Sequence, residues 1–437
     1  MQETNIYTGL YQMADSLHNE LCILADDLWN CPELGYQEYR TSERLLKSFR
    51  TLPVDIKMFT PLTGFCATLD MGVPGPTIAV LCDMDAASCP EHPDAEQETG
   101  TVHCCGHHIQ MTAVYGAAKV LACSGVQSHL CGKIKFIAVP AEEYVNLEYR
   151  RELYRKNVIE FLGGKSELMK RGVFDGVDAA IAIHSLPMGK QRFALCTGLN
   201  GFQVVVVDIY GKAGDFASNP ANSINALDAA QLGMSALNAW RATFKADDAI
   251  CVNPIITRGG EIMNAVPGHV RMEILVRGNS REAISNTMEK VKMAFSGCSQ
   301  ALGARVEFTF LHSYAPFKVS KEMNWVARSV TKNISGYEAP ELPPGHGTTD
   351  LGDLSTMVPT ILSYVSGCSG SLHSPEFHVT DSTCYSDGAK LISGIATNLL
   401  VDSGSFVKWL KKEKPPLYPT KEEYLEDARY CFRKNNK

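Results

Sequence analysis

Residues 77–86 read TIAVLCDMDA. The run from Thr77 to Cys82 is short, apolar and rich in β-branched side chains, and it stops at Asp83-Met84-Asp85. That pattern reads as a buried strand with acids at its carboxyl end. It recurs along the chain. KIKFIAV (133–139) leads into Pro140-Ala141-Glu142-Glu143, and DAAIAI (178–183) leads into His184. TILSYV (360–365) leads into Ser366-Gly367-Cys368 and then to His373 in GSLHSPEF. Helical patterns lie between these strands: TAVYGAAKVLACSG (112–125), SELMKRGVF (166–174) and NWVARSVTKNI (324–334). Strands alternating with helices predict an α/β fold, a mostly parallel sheet with helices on both faces. Two helices precede it, SLHNELCILADDLWN and EYRTSERLLKSFRTL, separated by CPELG. One follows, DGAKLISGIATNLLVDSG.

Near residue 199 the pattern changes. NGFQVVVVDIYGK, SINALDAAQLGMSALNAW, VRMEILVRGN, REAISNTMEKVKMAFSGCSQALG and ARVEFTFLHSY read as strand, helix, strand, helix, strand. This predicts a smaller α+β domain at 199–316, inserted between the two parts of a catalytic domain at 1–198 and 317–437. No internal repeat is visible.

In an open parallel sheet, ligands bind outside the carboxyl ends of the strands. The strand-end acids and imidazoles therefore converge on one rim, where CCGHHIQ (104–110) also belongs. Thiolate, neutral imidazole and carboxylate are the ligand types of zinc and related divalent ions. Two cations close together can acidify a water for attack on a carbonyl, with a neighbouring carboxylate taking its proton. Adjacent Glu142 and Glu143 suit a division of labour, one on metal and one facing substrate. A local zinc tetrahedron of His103, Cys104, Cys105 and His107 is the competing reading, but four ligands within five residues are sterically cramped.

Bulk properties narrow the function classes. The 437 residues carry a net charge of −7, which argues against nucleic acid or an anionic membrane as partner. No apolar run is long enough to span a membrane. The N-terminal stretch has no signal-peptide pattern. Fifteen cysteines scattered over a long chain suit reduced thiols. A cytoplasmic protein is the expectation. The tail KWLKKEKPPLYPTKEEY is expected to be a solvated terminal segment, and EYVNLEYRRELYRKNVIEFLGGK, after Glu142, a solvated helix.

Taken together, NCPELGYQE, CDMDA, CCGHH, VPAEE and LHSPEF resemble the motifs of the dinuclear metallo-amidohydrolases. That family includes aminoacylases, hippurate hydrolase and indole-acetyl-amino-acid hydrolases. GTTDLGDLS, GVFDGVDAAIAIHS and SINALDAA are closer to its p-aminobenzoyl-glutamate hydrolase branch. The resemblance implies two divalent metal ions, zinc or manganese, held by Cys105, His107, Glu143, His184 and His373, with Cys105 at or near the bridging place. It implies Glu142 as general base and Asp85 as a group orienting a metal ligand. It also implies that Asn264 and Arg277 bind a substrate carboxylate, and that the inserted domain is a lid through which the chain dimerises. The expected reaction is hydrolysis of an N-acyl or N-aroyl amino acid, or of a short peptide with a free carboxylate.

Three departures stand out. His108 and Gln110 occupy places where the aminoacylase branch has Asp and His. Asp215, in GKAGDFAS, stands where the family has a histidine that polarises the scissile carbonyl of a partner subunit. An ionised carboxylate cannot donate that hydrogen bond. His312 or His346 would then take the role, or the chain is a silent homologue that binds metal or acyl-amino acid, or pairs with an active subunit in a heterodimer.

Overall fold

The computed structural model describes residues 2–218 and 220–435. The chain divides into two compact units. The first comprises residues 1–198, 318–345 and 353–421; the second comprises 199–317, 346–352 and 422–437.

The first unit is built on a seven-stranded sheet. Its centre is four parallel strands in the order Lys133–Val139, Thr77–Asp83, Ala179–Ser185, Thr360–Val365. Thr77–Asp83 is buried along almost its whole length, which is why it shows no polar alternation: both faces are covered. From this strand the chain goes first to the neighbour on one side and then to the neighbour on the other, so the topology reverses here. At such a point the connecting segments part and open a crevice at the carboxyl ends. Asp83 and Asp85 sit at its mouth.

The edges of the sheet depart from the expected pattern. Asp55–Met58, Phe65–Asp70 and Phe193–Leu195 pair antiparallel. The helix His107–Cys123 is buried over most of its surface. With His18–Trp29 and Thr383–Leu400 it contributes to one continuous core that includes Leu21, Val114, Ile183 and Ile392.

The tail is not simply solvated. Leu410 is fully buried, as is Val407 just ahead of the tail. Lys411, Lys414 and Pro416 line a cavity of about 370 Å³ beside Asp178 and Pro359, which precede two of the central strands. This is the rim opposite the acids. The lysines reach Asp178 at 2.5 Å and Glu322 at 3.0 Å. Their charge is spent on ion pairs while the apolar face of their helix packs inward.

The second unit is an antiparallel sheet in the order Cys251–Arg258, His269–Gly278, Leu199–Tyr210, Arg305–Phe310. Burial alternates strictly along His269–Gly278. Val270, Met272, Ile274 and Val276 meet Ala229, Leu237, Met288 and Phe295 of the helices Ala226–Trp240 and Arg281–Ala301. Each helix starts at a side-chain cap: Asn225 accepts from Leu227 N at 2.9 Å and Ser280 from Ala283 N at 3.1 Å. Among the described residues, no helix is long and apolar enough to cross a membrane.

Candidate metal centre

The five expected ligands come together in the first unit. Three donor groups have all their ligand atoms within 4.8 Å of one another: Cys105, His107 and His184; Cys105, Glu143 and His373; His107, Glu142 and Glu143. Cys105 belongs to two of the groups and Glu143 to two. Neither His103 nor Cys104 belongs to any, which removes the local tetrahedron.

Local backbone chemistry places each side chain. Cys105 and His107 flank Gly106, whose φ is +81°, a left-handed conformation that glycine adopts freely. A Cβ at Gly106 would strike Ser185 Oγ and stand 3.3 Å from the Phe377 ring. The glycine thus brings the Cys-Gly-His turn against the end of the Ala179–Ser185 strand. Cys105 Sγ lies 3.4 Å from His184 Nε2. His373 lies at φ +60°, and its N–H donates to Cys104 O at 3.0 Å. Its Nε2 is 3.3 Å from Glu143 Oε1.

The second ring nitrogens are held by oxygen. His107 Nδ1 donates to Asp85 O at 2.7 Å, with Asp85 Oδ1 at 3.4 Å, and His184 Nδ1 donates to Ser185 O at 2.7 Å. Each bond leaves Nε2 as the free lone pair and fixes the ring's direction. His107 Nε2 and Glu143 Oε1 are buried and make no hydrogen bond. Buried polar atoms are rarely left so. Soft thiolate, three imidazoles and carboxylates facing one space fit divalent cations.

Electrostatics agree. Burial and the Glu143 carboxylate push the Cys105 thiol well above its usual range. Burial works against a charged His107, yet the Cys105 and Asp85 side chains together hold its imidazole well above the usual value. Burial and His107 push His184 down to about 4. A thiol or an imidazolium must lose its proton to ligate, so uptake of a cation at Cys105 and His107 would release protons.

The two departures in the helix after Gly106 are structural. His108 is buried and packs edge-on against Trp29, with centroids 4.8 Å apart. Gln110 ties two strand ends together: its Oε1 accepts from Asp83 N at 2.5 Å and its Nε2 donates to Ile183 O at 2.7 Å.

Three functional-site neighbours were not singled out in the sequence. Glu38, Arg150 and Lys165 are fully buried. Lys165 Nζ meets Asp83 Oδ1 at 2.5 Å. Glu38 Oε1 accepts from Ala141 N at 2.8 Å, directly ahead of the Glu142-Glu143 pair. Glu38 closes the NCPELGYQE motif, which was the available clue.

Asn264, Arg277 and Asp215 belong to the second unit. Asp215 pairs with Ala265, next to Asn264. Its Oδ1 accepts from Ala217 N at 3.0 Å and Ser218 N at 2.7 Å, and those bonds hold its carboxyl below the usual range. Arg277 stands at the far end of the His269–Gly278 strand, its Nη1 3.4 Å from His346 O. Eight residues of strand separate Arg277 from His269, roughly 26 Å at ~3.3 Å per residue.

Comparisons with known proteins converge. Residues 79–398 match Peptidase family M20/M25/M40. The chain is 27% identical over 380 residues to the N-acetylcysteine deacetylase of Bacillus subtilis, covering 84% of this chain and 93% of that one. A B. subtilis structure described as a dinuclear metal binding peptidase of the M20 family superimposes with a TM-score of 0.67 at 22% identity, covering 88% of this chain and 99% of that one. The aminobenzoyl-glutamate utilization protein of Klebsiella pneumoniae gives 0.67 at 18%, covering 89% and 98%. With a match spanning well over half its length and a donor set suited to divalent cations, the chain belongs to Peptidase family M20/M25/M40 and is a hydrolase of that family.

Proposed function

We propose that this chain hydrolyses the amide bond of N-acyl or N-aroyl amino acids, or of short peptides with a free carboxylate. The observation that carries this is Glu142. Its Oε2 is 4.0 Å from His107 Nε2, and it shares a donor group with His107 and Glu143. A carboxylate so placed takes a proton from an attacking water and returns it to the leaving amine. A pair of divalent cations at Cys105, His107, Glu143, His184 and His373 would polarise the scissile carbonyl and acidify that water. Thiolate softness favours zinc over manganese. Asp85 keeps His107 pointing inward.

Arg277, with its planar fork, and Asn264 are our candidates for the substrate carboxylate. Asn264 precedes the His269–Gly278 strand and Arg277 lies near its far end; a homodimer through the inserted domain would let one small ligand draw them from two copies. Asp215 is engaged with its own loop and supplies no proton to an oxyanion. Asp215 also sustains the second reading, a subunit that needs an active partner. A cytoplasmic location suits the unpaired cysteines.

The test is Glu142→Gln, which keeps size and removes the base. Against a panel of N-acetyl and N-benzoyl amino acids and dipeptides, turnover should fall by about 10²–10⁴ while two metal ions remain bound. Wild-type turnover in the variant would sink the reading. Hydrolysis by the purified chain alone removes the need for a partner.

A further inference from the structure

The segment after Glu143 was expected to be a solvated helix. Part of it is: Arg151, Arg155 and Lys156 pair with Glu148 and Glu152 on the Leu147–Arg155 helix, while Ile159, Phe161, Leu162 and Lys165 are buried. Arg150 is different. It is fully buried, and its guanidinium reaches back under the turn from which the segment departs. Nη1 donates to Ala141 O at 3.3 Å and to Leu162 O at 2.7 Å. Nη2 donates to Glu143 O and lies 3.8 Å from Asp85 Oδ2. The rings of Tyr36 and Tyr144 stand 5.6 and 5.9 Å from its central carbon.

The turn is held by ionisable side chains. Ala141 N donates to Glu38, and Glu143 N donates to Asp85 Oδ2 at 2.9 Å. The carbonyls of both residues accept from Arg150. Ala141 itself lies at φ +57°, a conformation an L side chain adopts only when its surroundings impose it. Gly35 leaves the space: a Cβ there would strike Arg150 Nη2 and stand 2.8 Å from Ala141 Cα.

We propose that Arg150 is a positioning residue of the metal centre. Its guanidinium fixes the Ala141–Glu143 turn and thereby the places of the Glu142 and Glu143 carboxylates. Only a planar fork with several donors serves two carbonyls of the turn, a third from Leu162 and the flank of Asp85 at once. A lysine ammonium is a single point and serves some of them. The inference rests on the proposed function for what the two glutamates do, but its first readout is ion affinity, which needs no substrate.

The experiment uses the full chain with Arg150→Lys and Arg150→Met, and Arg151→Met as control. Circular dichroism and melting in chelator report folding. Competition with a chromophoric chelator reports the affinity of each zinc ion, with manganese titrated in parallel. Arg150→Lys is the variant expected to fold. One of its two ions should bind about 10–100-fold more weakly, the range typical of losing a group behind a ligand. On a substrate the wild type cleaves, its kcat should fall at least about tenfold with KM changed by less than about threefold, since Glu142 acts in the transition state. Arg150→Met should lose more on both counts. The control should change neither. Both zinc affinities unchanged in folded Arg150→Lys overturns the proposal. So does an equal weakening of both ions that tracks the loss in melting temperature, which marks a merely structural role. A wild type that binds zinc and cleaves nothing ends the proposed function while the affinity readout still decides on Arg150. A wild type that binds no divalent ion overturns both.

Discussion

Gly106→Ala is the sharpest test of how the centre is assembled. Two costs add. Alanine at φ +81° loses roughly 1–2 kcal/mol for a left-handed backbone. Its Cβ would overlap Ser185 Oγ, with Ser185 Cβ at 3.1 Å and the Phe377 ring at 3.3 Å, an overpacking worth about 1–3 kcal/mol. The sum is about 2–5 kcal/mol. Ser185→Ala alone removes a long bond, Oγ to Cys105 O at 3.4 Å, and should cost under about 1 kcal/mol. The double variant clears the worst contact and keeps the strained backbone, so the two changes should couple favourably by about 1–2 kcal/mol. Urea denaturation in chelator measures all four species. Zinc competition on the same samples should show weaker ions in Gly106→Ala, because Cys105 and His107 flank the displaced residue. A Gly106→Ala protein within about 0.5 kcal/mol of wild type, or a double variant no better than additive, would refute the close-approach argument.

Two further outcomes follow from buried charge. Lys165→Met strands the Asp83 carboxylate and should cost about 3–5 kcal/mol, whereas Lys165→Met with Asp83→Asn should stay within about 2 kcal/mol of wild type, both read by chemical denaturation; equal losses would count against the ion pair. Burial and the Asp85 carboxylate hold Glu38 at about 8, against the hydrogen bonds it accepts from Thr63 and Ala141. A raised acid stabilises the fold below its ordinary 4.5, and that contribution is lost as pH rises from there through about 8. The metal-free melting temperature should therefore fall between pH 5 and 9, and Glu38→Gln should flatten the slope; parallel slopes would contradict it.

The parallel strands were legible because burial on both faces writes itself as an unbroken apolar run. Among the candidate ligands, Glu143 and His184 were legible because they stand close behind such runs, ending at Val139 and Ile183, whereas Cys105, His107 and His373 were marked by the motifs CCGHH and LHSPEF. What escaped was written in neither way. Cys251–Arg258 is an exposed edge strand holding Asn253 and Pro254, with no clean alternation. Phe65–Asp70 hides its strand character in a short run beside turn residues. Arg150 sits in YRRELYR, where it is indistinguishable from solvated neighbours. A buried cation is defined by the partners around it, and those partners, Asp85, Ala141 and Leu162, are set by tertiary structure. The tail misled for the same reason: its lysines are visible in composition, while the inward face carrying Val407 and Leu410 becomes meaningful only once the rim it covers is known.

The excursion between Ala141 and Gly164 closes on itself. Gly164 N donates to Ala141 O at 3.1 Å, and a Cβ at Gly164 would run into Pro140 O. Departure and return therefore share one doorway, and the strand beneath would need no rerouting if the detour were cut out. By connectivity the segment is dispensable, since shortening a loop whose ends already touch carries little entropic penalty. What forbids its removal is what it carries: excision would take away Glu142 and Glu143 of the donor set together with the guanidinium beneath them, and leave the buried Asp85 carboxylate without its cation.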